Sequence, residues 1–259
     1  MTDYHVICMK WGTAFAAEDV NVLHNACRRR TTLPFRFICL TDDAEGLAPG
    51  VETMPIPDMG LPKDQWLRPG VWPKIALYHP DLHGLRGRAL FIDLDMMILD
   101  SLDDFLTFPA SFVTTDMGRS WRPGGGSSPP EPGTCIFAFS LGNESQLFEQ
   151  FGSAPEAAIR TYRNDQNFAA AYASSMAFWP DGWVISFKRW LRRPIGLDLF
   201  LEPRRPPPSA KVLAFHGTPR PTALLRPGGG LWDRFPHMGR GQVSWVVEYW
   251  REMGGTIPE

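Results

Sequence analysis

The chain has 259 residues, 44% hydrophobic and 21% charged, the balance of a globular protein with a substantial core. Its net charge of −2 provides no global field for gathering nucleic acid, so no nucleic-acid partner is expected, and an anionic ligand must be held by local cations or a metal. The N-terminal MTDYHVICMKWG lacks the basic and apolar regions of a secretory signal, and no apolar run approaches the ~20 residues of a membrane span. Four cysteines (Cys8, Cys27, Cys39, Cys135) stand without Cys-x-x-Cys spacing, which points to reduced core thiols in a cytoplasmic protein rather than to disulfides or zinc.

Residues 4–9 (YHVICM) predict a first strand, and Ala16, Val20, Leu23 and Cys27 then recur at helical spacing. Acidic Glu18 and Asp19 open that helix and Arg28, Arg29 and Arg30 close it, as the helix dipole prefers. A second strand over 35–40 (FRFICL) runs into Thr41-Asp42-Asp43, and a shorter one follows near 51–54. After a Pro-broken segment, 72–78 (WPKIALY) reads as the start of a helix with Pro73 near its beginning. Residues 88–92 (RALFI) form a buried strand leading into Asp93-Leu94-Asp95. This alternation predicts an α/β fold with a mostly parallel sheet flanked by helices, whose ligands lie at the carboxyl ends of the strands. The polar groups Lys10-Trp11-Gly12, Thr41-Asp42 and Asp93-Leu94-Asp95 fall at those ends.

The second half is more irregular. Residues 119–133 (RSWRPGGGSSPPEPG) read as a long flexible loop, followed by a strand at 134–140, helices at 143–151 and 164–173, short strands at 184–187 and 211–215, and a closing helix at 244–250. One domain over 1–259 is expected, with no internal repeat.

In an extended chain Asp93 and Asp95 project to one side while Leu94 points to the other. Two carboxylates this close repel, and burial worsens the repulsion unless a cation lies between them; a hard divalent ion that also carries phosphate oxygens suits such a pair. A D-x-D pair alone also reads as polar residues capping a strand.

The run FIDLDMMI resembles the hydrophobic D-x-D signature of GT-A glycosyltransferases, especially the family 8-like group that includes glycogenin and bacterial lipopolysaccharide galactosyltransferases. Trp72-Pro73-Lys74 is similar to a segment upstream of that signature, and Asp165-Gln166 to the family's D-Q motif. His216-Gly217-Thr218-Pro219-Arg220-Pro221 resembles its C-terminal H-x-x-G-x-x-K-P element in shortened form, so the resemblance covers about residues 4–221. It implies a GT-A-like fold with a nucleotide-binding half (1–118) and an irregular acceptor-side half (134–259). It further implies metal-dependent sugar transfer from a nucleotide-sugar, with UDP favoured as its nucleotide, to a carbohydrate or lipid-linked acceptor, with retention.

The same resemblance assigns the metal to Asp93, Asp95 and His216, with Mn²⁺ favoured over Mg²⁺ because an imidazole joins the carboxylates. Lys74 and Arg220 would face the diphosphate, beside Leu94 and Gly217; Lys10, Trp11, Gly12, Thr41 and Asp42 would lie toward the base and ribose. Thr134 would meet the sugar, and Asp165 and Gln166 would be the catalytic pair. Bland readings stand beside these: Lys74 and Arg220 as solvated cations, Asp42 as a turn former, and Asn164-Asp165 as a helix cap. The chain departs from the family in having Lys10-Trp11-Gly12 where an acidic residue is common, Gly133-Thr134-Cys135 where Asn-Gly is usual, and Arg220 in place of Lys.

Residues 188–205 mix six basic side chains with Trp190, Leu191 and Phe200. This reads as a solvated face with aromatics packed beneath; resting on the inner face of an anionic membrane is the other reading. A dehalogenase-like phosphatase is excluded because its D-x-D stands early in the chain with Thr or Val two residues on, where Met97 stands here. No G-x-G-x-x-G follows the first strand and no G-x-S-x-G elbow occurs. A GT-A-like scaffold that binds nucleotide or sugar without turnover is the rival reading.

Overall fold

The computed structural model describes residues 3–118, 121–124, 129–228 and 230–259. In chain order the strands are β1 (Tyr4–Lys10), β2 (Arg36–Thr41), β3 (Glu52–Met54), β4 (Arg88–Ile92), β5 (Met96–Ile98), β6 (Phe112–Asp116), β7 (Pro132–Ser140), β8 (Ala177–Phe178), β9 (Val184–Ser186), β10 (Val212–Ala214), β11 (Leu231–Trp232) and β12 (Gly239–Arg240). The α-helices are α1 (Ala17–Arg30), α2 (Asp103–Leu106), α3 (Ser145–Ser153), α4 (Pro155–Thr161), α5 (Asp165–Tyr172) and α6 (Ser244–Glu252).

Seven strands form the main sheet in the order β3-β2-β1-β4-β7-β6-β8. Pairing is parallel from β3 through β4 and between β6 and β8, and antiparallel on both sides of β7. The central strands are apolar on both faces because both faces are covered. Val6, Cys8, Phe37, Cys39, Leu90 and Ile92 enter one core with α1, α6 and the second sheet. Their neighbours Ile7, Met9, Ile38, Leu40, Ala89 and Phe91 enter a second core with α3 and α5. The period of two thus divides each strand between two layers.

The expected helix at 72–78 is a 3₁₀ helix, Trp72–Tyr78, buried at all seven residues. Three residues per turn put Trp72, Ile75 and Tyr78 in line against the second core. β5, β6 and α4 were not legible as elements. β7 begins at Pro132, inside the segment expected to be loop, and Trp121 from that segment is buried. Residues 122–124 and 129–131 are exposed and without regular structure, as expected, and 119–120 and 125–128 lie outside the described residues. Cys8, Cys27, Cys39 and Cys135 are free, and the first three are fully buried in the core. Among the described residues no helix is long and apolar enough to cross a membrane.

A second sheet, β5-β10-β9, pairs β10 antiparallel to β5 and parallel to β9. It takes up the chain immediately after Asp95, which is how the carboxylate pair comes to stand between two sheets.

Candidate functional site

β4 is buried along its whole length and ends at Asp93, whose backbone N–H donates to the Cys135 carbonyl of β7 (2.9 Å). Residues 94–95 form a turn, in which Leu94 is 5% exposed and packs into the first core while also touching a cleft that Asp93 and Asp95 face. The chain then enters β5, where Met96 pairs with Ala214 of β10 and the Phe215 N–H donates to the Asp95 carbonyl (3.0 Å). That pairing carries His216 and Gly217 to the carboxylates across more than a hundred residues of sequence.

The cleft has two chambers with a shared wall of Val71, Lys74, Asp93, Asp95 and Gly217. The first, of about 350 Å³, is lined by apolar and aromatic groups (Met9, Trp11, Phe15, Trp66, Leu67) and by Arg68 and Arg220. The second, of about 220 Å³, is lined by Thr134, Asp165, Gln166, His216, Met117 and Trp121.

Lys74 is buried at the partition. Its Nζ donates to Asp93 Oδ2 (2.7 Å) and to the Thr134 carbonyl (3.0 Å), and lies 5.1 Å from the centre of the Phe91 ring. Burial alone would lower the Lys74 pKa, but the Asp93 and Asp165 carboxylates outweigh it and the net shift is upward. Burial raises Asp93 despite the Lys74 partner. Asp95 is raised to about 7, first by burial and then by repulsion from Asp93.

Asp165 begins α5 but does not cap it: Asn164 is the cap, accepting from the Asn167 N–H (2.9 Å). The Asp165 N–H is taken by the Gly70 carbonyl (2.9 Å), and its Oδ2 accepts from Thr134 Oγ1 (2.7 Å). Burial leads in raising Asp165 to about 6. His216 is lowered to about 4, by burial and then by Lys188 and Arg189, so it is a neutral imidazole near pH 7. Its Nε2 shares a hydrogen bond with Ser186 Oγ (2.7 Å), and its ring lies 5.1 Å from that of Trp121.

The expected residues divide clearly. Trp11, Lys74, Asp93, Leu94, Asp95, Thr134, Asp165, Gln166, His216, Gly217 and Arg220 all line the cleft. Lys10, Gly12, Thr41 and Asp42 line neither chamber. Lys10 Nζ and Thr41 Oγ1 both donate to the Asp43 carbonyl (3.1 and 2.8 Å), and Asp42 accepts from the Gly12 N–H (3.1 Å). Arg220 donates to the Ala14 carbonyl and stacks 4.2 Å from the centre of the Phe15 ring.

Sequence reasoning missed the wall formed by residues 66–71, as well as Phe15, Met117 and Trp121. The signal for the wall was the Pro69-Gly70 dipeptide, a turn ahead of Trp72-Pro73-Lys74. Val71 in that turn has φ 56°, an outlier for a β-branched residue, and it touches both chambers.

As the side chains stand, no three His, Cys, Asp or Glu groups among the described residues are close enough to hold an ion. Asp93 is engaged by Lys74 and His216 by Ser186. The chemistry of the donor set nevertheless fits a divalent cation. Two like-charged carboxylates stand at one partition, with a neutral imidazole on the same chamber.

By sequence the chain matches no protein-family model and no curated protein. Solved structures do match. WbbM, a bifunctional glycosyltransferase, aligns over 99% of this chain and 50% of its own, with a TM-score of 0.59 and 12% identity. GlyE, a glycosyltransferase of Streptococcus pneumoniae TIGR4, aligns over 97% of this chain and 63% of its own (TM-score 0.55, 12% identity). LgtC, a galactosyltransferase solved with donor and acceptor sugar analogues, aligns over 98% of both chains (TM-score 0.52, 11% identity). The chain thus spans half the length of WbbM and under two thirds of GlyE. Its fold is that of the GT-A glycosyltransferases.

Proposed function

We propose that this protein is a cytoplasmic glycosyltransferase that moves a sugar from a nucleotide-sugar, UDP-sugar favoured, to a carbohydrate or lipid-linked acceptor, with a divalent metal and with retention. The observation that carries this reading is the two-chambered cleft partitioned by Asp93, Asp95 and Lys74. An aromatic, partly cationic chamber beside a smaller polar one suits a base and diphosphate on one side and a sugar on the other.

In this reading residues 1–118 supply most of the nucleotide side and 134–259 most of the acceptor side. Trp11, Phe15 and Trp66 offer flat apolar surface to a base. Lys74 and Arg220 place positive charge where a leaving diphosphate develops negative charge. Arg220 suits this role in place of Lys because its planar fork can grip two phosphate oxygens while its face rests on Phe15. Asp93, Asp95 and His216 would hold the ion, Mn²⁺ favoured and Mg²⁺ accepted. Bound there, it would offset the charge of the departing diphosphate. Thr134 orients Asp165 on the sugar side, and Gln166 shares that chamber. Retention would follow either from transient attack by one of these side chains or from acceptor attack on the face the nucleotide leaves.

The test is calorimetry of UDP, GDP and ADP with and without Mn²⁺ on wild type and Asp95→Ala, followed by a turnover screen of donors. One nucleotide binding only with metal, and not to the variant, supports the site. No binding under any condition sinks it. Metal-dependent binding with no nucleotide released from any donor would establish a binding protein instead.

A further inference from the structure

β6 ends against β7 with a slip in register, so that Thr115 pairs with Gly133 and Asp116 with Pro132. The Asp116 carboxylate accepts from the Gly118 and Glu131 N–H groups (2.8 and 3.1 Å), and the Met117 N–H donates to the Glu131 carbonyl (2.7 Å). These bonds fix the backbone on both sides of Met117, and its side chain lies on Gly133. A Cβ at Gly133 would stand 2.6 Å from Met117 Cγ and 2.8 Å from its Sδ, so the missing Cβ is what leaves room for the thioether.

This seat adjoins the partition of the cleft. Thr134, the residue after Gly133, accepts from Lys74 Nζ at its carbonyl (3.0 Å) and donates its hydroxyl to Asp165 (2.7 Å). Met117 lines the second chamber with Thr134 and Asp165 and does not line the first. The chamber therefore has polar groups at the start of α5 and a thioether held rigidly beside Thr134.

We infer that Met117, seated on Gly133, sets donor specificity by closing the second chamber to sugars with a group larger than a hydroxyl at position 2. The inference rests on the donor reading above, with the sugar in this chamber and the diphosphate at Lys74. In that reading the anomeric carbon lies at the partition, so position 2, bonded to it, carries the ring substituent that meets the residues beside Thr134. A hydroxyl there asks for little space. An acetamido group brings an amide whose N–H and C=O would face a thioether, a weak acceptor with no proton to give. It must also displace a side chain whose backbone is fixed, and both costs fall on the acetamido sugar alone. Met117→Ala removes as many heavy atoms (Cγ, Sδ and Cε) as the exchange of hydroxyl for acetamido adds, so variant and substituent match in size.

The experiment is calorimetry of UDP, UDP-glucose, UDP-galactose and the two 2-acetamido counterparts with Mn²⁺, on full-length wild type, Met117→Ala and Gly133→Ala. Wild type should bind the better hexosyl donor about ten-fold or more tightly than its acetamido counterpart. Met117→Ala should bring the two within about two-fold of each other, by a gain in the acetamido donor. Gly133→Ala fills the seat and displaces Met117, and should weaken the hexosyl donor about ten-fold. UDP should bind all three proteins alike, which also shows the variants to be folded. Should Gly133→Ala not bind UDP, Met117→Ala decides alone. If UDP does not bind wild type, the donor reading fails and takes this inference with it. If UDP binds but wild type does not discriminate, or Met117→Ala discriminates as wild type does, this inference alone is overturned.

Discussion

Replacing Asp165 by Asn should stabilise the protein at pH 8 and leave it unchanged near pH 4. Asp165 is 4% exposed, and burial is the leading cause that raises its carboxyl from 3.8 to about 6; Lys74 and the Thr134 hydroxyl offset only part of that cost. A carboxyl with a higher pKa folded than unfolded holds its proton more tightly in the native state. Below about pH 4 it is protonated in both states and makes no difference. As pH rises from about 4 to about 6, the unfolded chain releases a proton that the folded chain retains, so stability falls, and above about 6 the loss is complete. About two pKa units at 1.36 kcal/mol each come to about 3 kcal/mol. Asn keeps the shape and can still accept from Thr134 Oγ1, but carries no charge. Urea unfolding at pH 4, 6 and 8 should therefore show Asp165→Asn level with wild type at pH 4. By pH 8 it should be about 2–3 kcal/mol more stable, a rise of about 6 °C in Tm. Nucleotide release from donor should be lost in the same variant, the pattern of a charge retained for function against stability. A variant less stable than wild type at pH 8, or a difference that does not change with pH, would refute this account.

Other substitutions test the partition and its frame. Lys74→Met leaves Asp93 without its cation and should lower stability by about 3 kcal/mol at pH 8, read from the urea midpoint, with a smaller loss at low pH where Asp93 is protonated. Val71→Gly relieves the positive φ at the cleft turn and should stabilise by about 1 kcal/mol, by the same measurement. All four thiols should resist a thiol reagent in the native protein and react on denaturation. Cys8, Cys27 and Cys39 are fully buried, and burial followed by the Asp93 charge pushes Cys135 up to about 12. Fast native-state labelling of Cys8, Cys27 or Cys39 would contradict that burial, and labelling of Cys135 at neutral pH would contradict its raised pKa.

Much of the first half was legible because burial writes itself locally. The continuous apolar runs at 4–9, 35–40 and 88–92 could only be strands covered on both faces, and the sheet places them centrally with alternate residues in two cores. The period of an extended chain set Asp93 and Asp95 opposite to Leu94, but residues 94–95 form a turn, and Leu94 packs into the core while also touching the first chamber. β5 was hidden because three residues make too short a pattern, and β6, FVTTD, because its polar threonines obscure an otherwise β-branched run. The aromatics of the basic segment were expected to pack beneath a solvated face: Leu191 beside them is buried, but Phe200 is 83% exposed.

The sequence by itself therefore determined the layered α/β sheet and the presence of a carboxylate pair at the end of its central strand, since both depend on neighbours within a few residues. Only the tertiary structure decided what surrounds that pair. The β5–β10 pairing brings His216 to Asp95, Lys74 crosses to Asp93, and residues 66–71 close one wall of the cleft. Lys10 and Thr41, polar residues at the ends of the first two strands, are turned aside to Asp43. These are choices of partner between distant segments, and a local pattern of polarity records that a group needs a partner without recording which one it finds.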